Sequence, residues 1–272
     1  MRKRHPPFRR RKLAKKLRKL RLRARMSIQE AAKALDKDVQ ALYRIEAGET
    51  RVDVHFGRSV MDVYDAYDPD LLDEIREAAK RGWWTTYGIK DQGYLDVETE
   101  AATVREFALA LIPGLLQTKD YMRAVFASHG LVDNIENQIE VRRIRQQRLT
   151  SDDDPLFLHV IIDEYALRRL VGSPEIMRGQ LRHLVDLAAL PTVTLQVITS
   201  ALHVGMMGTF IVLGFPDPDD PEVFYLEHVT GGSIHIEDPE QVRAANLAFG
   251  RLAAEALSPD ESVALIERIL AE

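Results

Sequence analysis

The sequence has no cysteine. That absence excludes a disulfide framework, thiolate zinc sites, iron–sulfur clusters and a cysteine nucleophile, and it fits a reducing compartment. No apolar run approaches the roughly 20 residues a membrane-spanning helix needs. The longest uncharged stretch, residues 187–216, is broken by Pro191, Gln196, His203 and three glycines. Within it Val193, Leu195 and Val197 alternate with Thr194, Gln196 and Thr199, which reads as two strands and a turn. Residues 2–25 contain no acid and 14 Lys/Arg. A signal peptide would follow such a start with an apolar stretch of roughly 7–15 residues, but here the leucines are spaced. The chain is therefore expected to be soluble and cytoplasmic. Also missing are a Gly-x-Ser-x-Gly elbow, a Walker loop, a dinucleotide glycine fingerprint and any internal repeat.

What is present is a globular composition, 46% apolar and 29% charged over 272 residues, a length that suits two domains. The net charge of −5 hides a segregation. Residues 1–51 carry 18 Lys/Arg against 5 Asp/Glu, and the remainder carries 19 against 37. A basic end on an acidic body implies a polyanion partner for that end, nucleic acid first and an anionic membrane surface second.

The basic end has helical texture. Residues 1–8, with Pro6-Pro7, read as a loose arm. Leu13, Leu17, Leu20 and Ala24 recur at helical spacing. Ser27 and Glu30 make a capping box for a helix to Leu35. Asp36-Lys37-Asp38 is a polar break, Asp38 caps Val39–Ala47, and Gly48 can end that helix in the left-handed conformation. Val60, Val63, Tyr64 and Tyr67 mark a fourth helix, and Asp68-Pro69 opens a fifth to about Arg81. Two short helices joined by a three-residue turn, behind a longer basic helix, form the helix-turn-helix pattern, whose second helix enters the major groove. At about 100° per residue, Leu42 and Ile45 face the core. Gln40, Tyr43, Arg44 and Ala47 lie opposite, with Val39 at the edge. Gln pairs with adenine and Arg with guanine, each worth about 1–3 kcal/mol of discrimination. Ser27 and the helix-start amides suit phosphate. Arg51 and the arm suit phosphate or the minor groove. A merely solvated three-helix piece has the same spacing; the charge on this segment favours DNA.

The runs Leu17-Arg18-Lys19-Leu20-Arg21, Ser27-Ile28-Gln29-Glu30-Ala31-Ala32 and Leu42-Tyr43-Arg44-Ile45-Glu46-Ala47-Gly48 resemble the XRE-type, lambda-repressor-like domain. The resemblance implies a structural pair between Arg21 and Glu46 and base reading by Val39, Gln40, Tyr43 and Arg44. It departs at Ile28, where that family has a phosphate-touching glutamine; Gln29 is the candidate replacement. The rest is similar to actinobacterial XRE regulators of the WhiJ-like, antitoxin-like type. The residues that carry this likeness are Trp83-Trp84, Ile112-Pro113-Gly114-Leu115-Leu116-Gln117-Thr118-Lys119-Asp120-Tyr121, Val141-Arg142-Arg143 with Arg145-Gln146-Gln147-Arg148-Leu149, Asp163–Arg169 and Ala256-Leu257-Ser258-Pro259. This second likeness implies a transcriptional regulator that binds a small partner protein, with a C-terminal domain of unsettled function and no known catalytic residue.

Beyond the junction, strands are expected at Thr103–Leu109, Leu156–Asp163, Thr192–Thr199, Thr209–Phe215, Glu222–Val229 and Ser233–Ile236, with a Gly231-Gly232 hairpin turn. Helices are expected at Thr118–Ser128, Asn134–Leu149, Pro174–Leu190, Pro239–Leu257 and Pro259–Ala271. Trp83-Trp84 reads either as a stacking or partner surface or as a hydrophobic clasp. Arg142, Arg143, Arg145 and Arg148, with Arg168 and Arg169, read either as an anion pocket or as a salt-bridged solvated face. Asp163-Glu164 could line a cleft or cap a helix starting at Tyr165. His203, Glu227, His228, His235, Glu237 and Asp238 show no metal-ligand spacing, and Glu227 and His228 point to opposite faces of a strand.

The reading is an all-α five-helix helix-turn-helix domain at 1–80, a junction at 81–92, and an α+β domain with a mostly antiparallel or mixed sheet at 93–272. DNA contacts are expected from Ser27, Gln29, Val39, Gln40, Tyr43, Arg44 and Arg51, with Arg21, Glu46 and Gly48 structural. A partner or ligand site is expected from Trp83, Trp84, Arg142, Arg145 and Glu164. The expected partners are double-stranded DNA with a near-palindromic operator, a second copy in a homodimer, and a small protein or small-molecule effector. No catalytic residue, metal, cofactor or membrane partner is expected. Two readings compete: an antitoxin-like protein whose main role is binding a small partner protein, and, from another class, an enzyme fused to the DNA-binding end, with Glu164 and His228 as its candidates.

Overall fold

The structure is a computed structural model, and it describes residues 6–89, 93–129, 134–199, 202–227 and 233–272. The chain divides into two compact units, Met1–Trp83 and Trp84–Glu272.

The first unit contains helices α1 (Phe8–Arg23), α2 (Ile28–Ala34), α3 (Val39–Glu46), α4 (Val54–Val63) and α5 (Leu71–Ala79). Leu13, Leu17 and Leu20 of α1 pack with Ala31, Ala32, Leu35, Leu42, Ile45, Val60, Tyr64, Leu71 and Ile75 into one core. The capping box at Ser27 is formed in both directions. Leu35 closes α2, Asp36 turns with φ +51°, and the Asp38 side chain accepts from the Ala41 N–H at 2.7 Å to start α3. Gly48 has φ +73°, and a Cβ there would sit 3.3 Å from the Arg10 carbonyl oxygen and Arg11 Cα. Glycine at this position both ends α3 and lets α1 pass.

Three expectations for this unit change. The arm is shorter, because α1 begins at Phe8 and Phe8 is buried; residues 1–5 lie outside the described residues. The fourth helix stops at Val63 with Tyr64 as its cap, and Tyr67 stands 85% exposed beyond it. Asp68-Pro69 does not start the fifth helix. The Asp68 carboxylate accepts from the Asp70 N–H at 3.1 Å and pairs with Lys16 at 2.8 Å, so the chain makes a turn before α5.

The second unit is a six-stranded mixed sheet with helices, an α+β fold. A 3₁₀ turn spans Trp83–Tyr87, followed by α6 (Tyr94–Glu98), β1 (Thr103–Ala108), α7 (Lys119–His129), α8 (Ile135–Gln147), β2 (Phe157–Asp163), α9 (Glu164–Arg168), α10 (Pro174–Ala188), β3 (Val193–Ile198), β4 (Phe210–Gly214), β5 (Val223–Glu227), β6 (Ser233–Ile236), α11 (Pro239–Glu255) and α12 (Pro259–Ala271). The strand order is β3-β2-β1-β4-β5-β6. β1 and β2 are parallel, as are β2 and β3, while β4, β5 and β6 continue antiparallel from β1. The stretch 187–216 therefore holds two strands but no hairpin: β3 ends on one edge and β4 lies beyond β1, with a 3₁₀ turn at Val204–Met207 between them. The expected Gly231-Gly232 turn and His228 lie outside the described residues.

One sheet face carries Phe107, Ile161, Phe210 and Val212, packed with Ala245, Phe249 and Leu252 of α11. Side chains alternate along a strand, so Val104, Glu106 and Ala108 of β1 point to the other face. No helix among the described residues is long and apolar enough to cross a membrane.

Candidate nucleic-acid interface and the C-terminal charged cluster

The core of the first unit fixes which side of α3 faces outward. Leu42 and Ile45 are buried, at 1% and 5% exposure. Gln40, Tyr43, Arg44 and Ala47 are exposed and Val39 is half-buried. The outer side of α3 thus offers an amide, a phenol and a guanidinium together. Arg51 is exposed beyond Gly48, and Gln29 is exposed in the first turn of α2. Arg44 and Arg51 have no ion-pair partner among the described residues. The Ser27 hydroxyl is already engaged: it accepts from the Glu30 N–H at 3.2 Å and donates to Glu30 Oε2 at 2.7 Å.

Behind this surface, Arg21 Nε and Nη2 donate to the two Glu46 carboxylate oxygens at 2.7 and 2.8 Å, and Nη1 donates to the Met26 carbonyl at 2.8 Å. The Glu46 hydrogen bonds raise the Arg21 pKa. The pair ties α1 to the end of α3 and to the turn before α2. Part of the basic charge of α1 is compensated inside the unit, because Lys16 meets Asp68 and Glu74 and Arg9 meets Glu77.

In the second unit Arg142, Arg145 and Glu164, grouped from sequence, each have separate partners. Trp84 is buried, and Trp83, the last residue of the first unit, is half-buried. Glu164 opens α9 and pairs with Arg168 at 2.7 Å, and Arg168 also meets Glu272. Asp163 caps α9 through the Tyr165 N–H at 2.9 Å. Its other oxygen lies 3.1 Å from Nε2 of His203, with both side chains buried. Arg143 and Glu140 form a solvated i,i+3 pair. No cluster of three or more metal-ligating side chains occurs among the described residues.

Arg142 and Arg145, one turn apart on α8, point inward instead. Arg145 makes a two-pronged pair with Glu98 of α6, at 2.6 and 2.5 Å, and lies 5.1 Å from the Tyr94 ring centroid. Arg142 stacks on Phe126 at 4.6 Å and donates to the side-chain oxygen of Gln117. Gln117 is buried and donates to the Ile112 carbonyl at 2.6 Å, and Gln180 holds the same turn through Leu116 and Thr118. A Cβ on Gly114 would lie 3.3 Å from Arg142 Nε. The Pro113–Thr118 run is thus a cradle whose glycine lets a guanidinium past. On β1, Glu106 is 7% exposed and lies in the field of Arg145 and Arg142. Burial and the nearby Glu98 raise its pKa to about 8, against the opposing pull of Arg145 and Arg142. Sequence reasoning missed Tyr94, Glu98, Glu106 and Gln117 as site residues. Strand alternation could have flagged Glu106, a carboxylate at an inward position.

The comparisons with known proteins agree with this division. Residues 12–75 match a helix-turn-helix domain, the class of fold that places a helix in the DNA major groove. No curated protein and no solved structure matches the chain. Residues 92–268, about two thirds of the chain, match the family defined by a domain of unknown function, DUF5753, and the protein belongs to that family.

Proposed function

We propose that the protein is a sequence-specific transcriptional regulator, a binding protein without catalytic turnover, whose DNA affinity is set through its C-terminal unit by a small protein or small-molecule effector. The reading rests chiefly on the outer side of α3, where Gln40, Tyr43 and Arg44 are exposed together on the second helix of a helix-turn-helix. In this reading they enter the major groove, with Val39 at the edge. Gln29, Arg51 and the basic arm contact phosphate. The Arg21–Glu46 pair and Gly48 hold the geometry. The XRE-like, antitoxin-like sequence features support a small partner protein. Helix-turn-helix geometry supports a cytoplasmic homodimer on two half-sites about one helical turn apart.

Fluorescence anisotropy with the full-length chain tests it. A duplex from the protein's own promoter and a scrambled duplex are compared at two salt concentrations. The promoter duplex is expected to bind at least tenfold tighter at the higher salt. Arg44→Ala should remove about 1–3 kcal/mol of that preference while leaving scrambled binding nearly unchanged. Equal binding to both duplexes, collapsing with salt, would reduce the basic end to non-specific charge.

A further inference from the structure

The charged cluster of the second unit contains two groups that its internal pairing leaves over. Arg145 is satisfied by Glu98. Arg142 is not: its partners are a neutral amide oxygen and an aromatic ring, and no carboxylate pairs with it among the described residues. Glu106 is 93% buried by its 7% exposure and makes no hydrogen bond among the described residues. Each lies in the other's field, yet they form no ion pair within 4 Å. A half-buried guanidinium and a buried carboxyl that are not paired with each other are both left open to a group that satisfies the two.

We infer that this cluster is a binding site for a small organic carboxylate, taken by the Arg142 guanidinium and by the Glu106 carboxyl acting as a hydrogen-bond donor. The inference rests on the reading above that the C-terminal unit receives the effector, and it names the effector's class. Glu106 keeps its proton at neutral pH, because burial, Glu98 and Glu227 push its pKa to about 8 against Arg145 and Arg142. Arg142 is lowered to about 10 by burial and stays charged. With Arg145 paired to Glu98, the Arg142 guanidinium is offset only through space, by Glu227 and Glu98. That suits a monoanion. A dianionic phosphate would face the carboxylates of Glu98 and Glu227 with a single guanidinium to offset it. The surroundings are aromatic: Tyr94 packs on Tyr225 at 4.7 Å, Tyr225 on His235 at 5.2 Å, and Phe126 lies under Arg142.

The test uses the full-length chain and benzoate, with benzamide, benzylamine and inorganic phosphate as probes of other charge, read by ligand-observed NMR titration. Benzoate is expected to bind at least tenfold tighter than the other three. Its affinity should fall about tenfold per pH unit above pH 8, as Glu106 ionises and stops donating. Glu106→Gln retains a donor, so it should keep benzoate binding at pH 7 and lose that pH dependence. Arg142→Gln should weaken benzoate at least tenfold. If Arg142→Gln does not fold, the Glu106→Gln pH profile decides. Absence of benzoate binding, tighter benzylamine binding, or an unaltered pH profile in Glu106→Gln would each overturn the site. These results leave the DNA reading untouched. Benzoate binding by a chain that does not distinguish the promoter from the scrambled duplex would keep the site and remove the regulatory role.

Discussion

At the scale of single residues, the two units use arginines in opposite ways. Arg21 and Glu46 keep only 8% and 6% of their side chains exposed. Taking two ions out of water costs several kcal/mol each, and the cost is recovered only where the geometry satisfies both partners. Here the two-pronged contact and the Met26 carbonyl use the guanidinium on three sides. Removing one partner strands the other charge. Arg21→Met or Glu46→Leu should therefore destabilise the first unit by about 3–5 kcal/mol, a large part of the usual stability of a small domain. Arg21→Met combined with Glu46→Leu should cost far less than the sum of the two single changes. Urea unfolding of the four proteins forms a double-mutant cycle. Strict additivity would mean that the two residues do not act as a pair. Arg142, by contrast, has a neutral oxygen where Arg21 has a carboxylate, which is why binding is read at the second arginine and structure at the first.

At the scale of elements, caps decide both what folds and what remains free to bind. The Ser27 hydroxyl donates to and accepts from Glu30, so a phosphate could take it only by breaking the capping box. Ser27→Ala should lower stability by about 1 kcal/mol. It should leave the salt dependence of DNA binding unchanged, and a shallower salt slope in this variant would restore Ser27 as a phosphate contact. The same chemistry explains what was legible in the sequence. Ser27, Asp38, Ser173, Asp238 and Ser258 each accept from a first-turn N–H, and the helices they start lie within a residue or two of their expected positions. Asp68 carries the same signal but spends its carboxylate on Asp70 and Lys16, a long-range competition no local pattern reveals. The sheet shows the same limit. Alternation located the strands, but β3 and β4 neighbour one another in sequence and flank β2 and β1 in the sheet. Of the C-terminal cluster, the arginines were legible as a pair on one helix. Glu106 and Glu98 were not, because only the fold brings Glu98 onto Arg145 and Glu106 into the field of both arginines.

At the scale of the whole molecule, charge is the property that most directly predicts behaviour. Residues 1–83 carry 22 Lys/Arg against 13 Asp/Glu, and residues 84–272 carry 15 against 29. Eight of the thirteen acids lie after residue 51, and those of α5 and the turn before it already occupy Lys16 and Arg9. The DNA-facing charge is then left to the other cations of α1, Arg44, Arg51 and the arm. The arm can be removed without taking the cap of α1 only ahead of Pro6, because the Pro7 carbonyl accepts from the Arg10 and Arg11 N–H groups and the Pro6 carbonyl from the Arg11 side chain. Deleting residues 2–5 takes out Arg2, Lys3 and Arg4. Each phosphate contact contributes about 0.9 to the slope of log affinity against log salt. If all three cations touch phosphate, the slope should become shallower by about 2.7. The loss of affinity should be equal on the promoter and scrambled duplexes, because phosphate contacts position the protein without reading bases. Anisotropy titrations across several salt concentrations measure both quantities. A loss confined to the promoter duplex would instead move the arm into a groove, where it reads sequence. An unchanged slope would take it off the DNA and leave the helices to supply the charge.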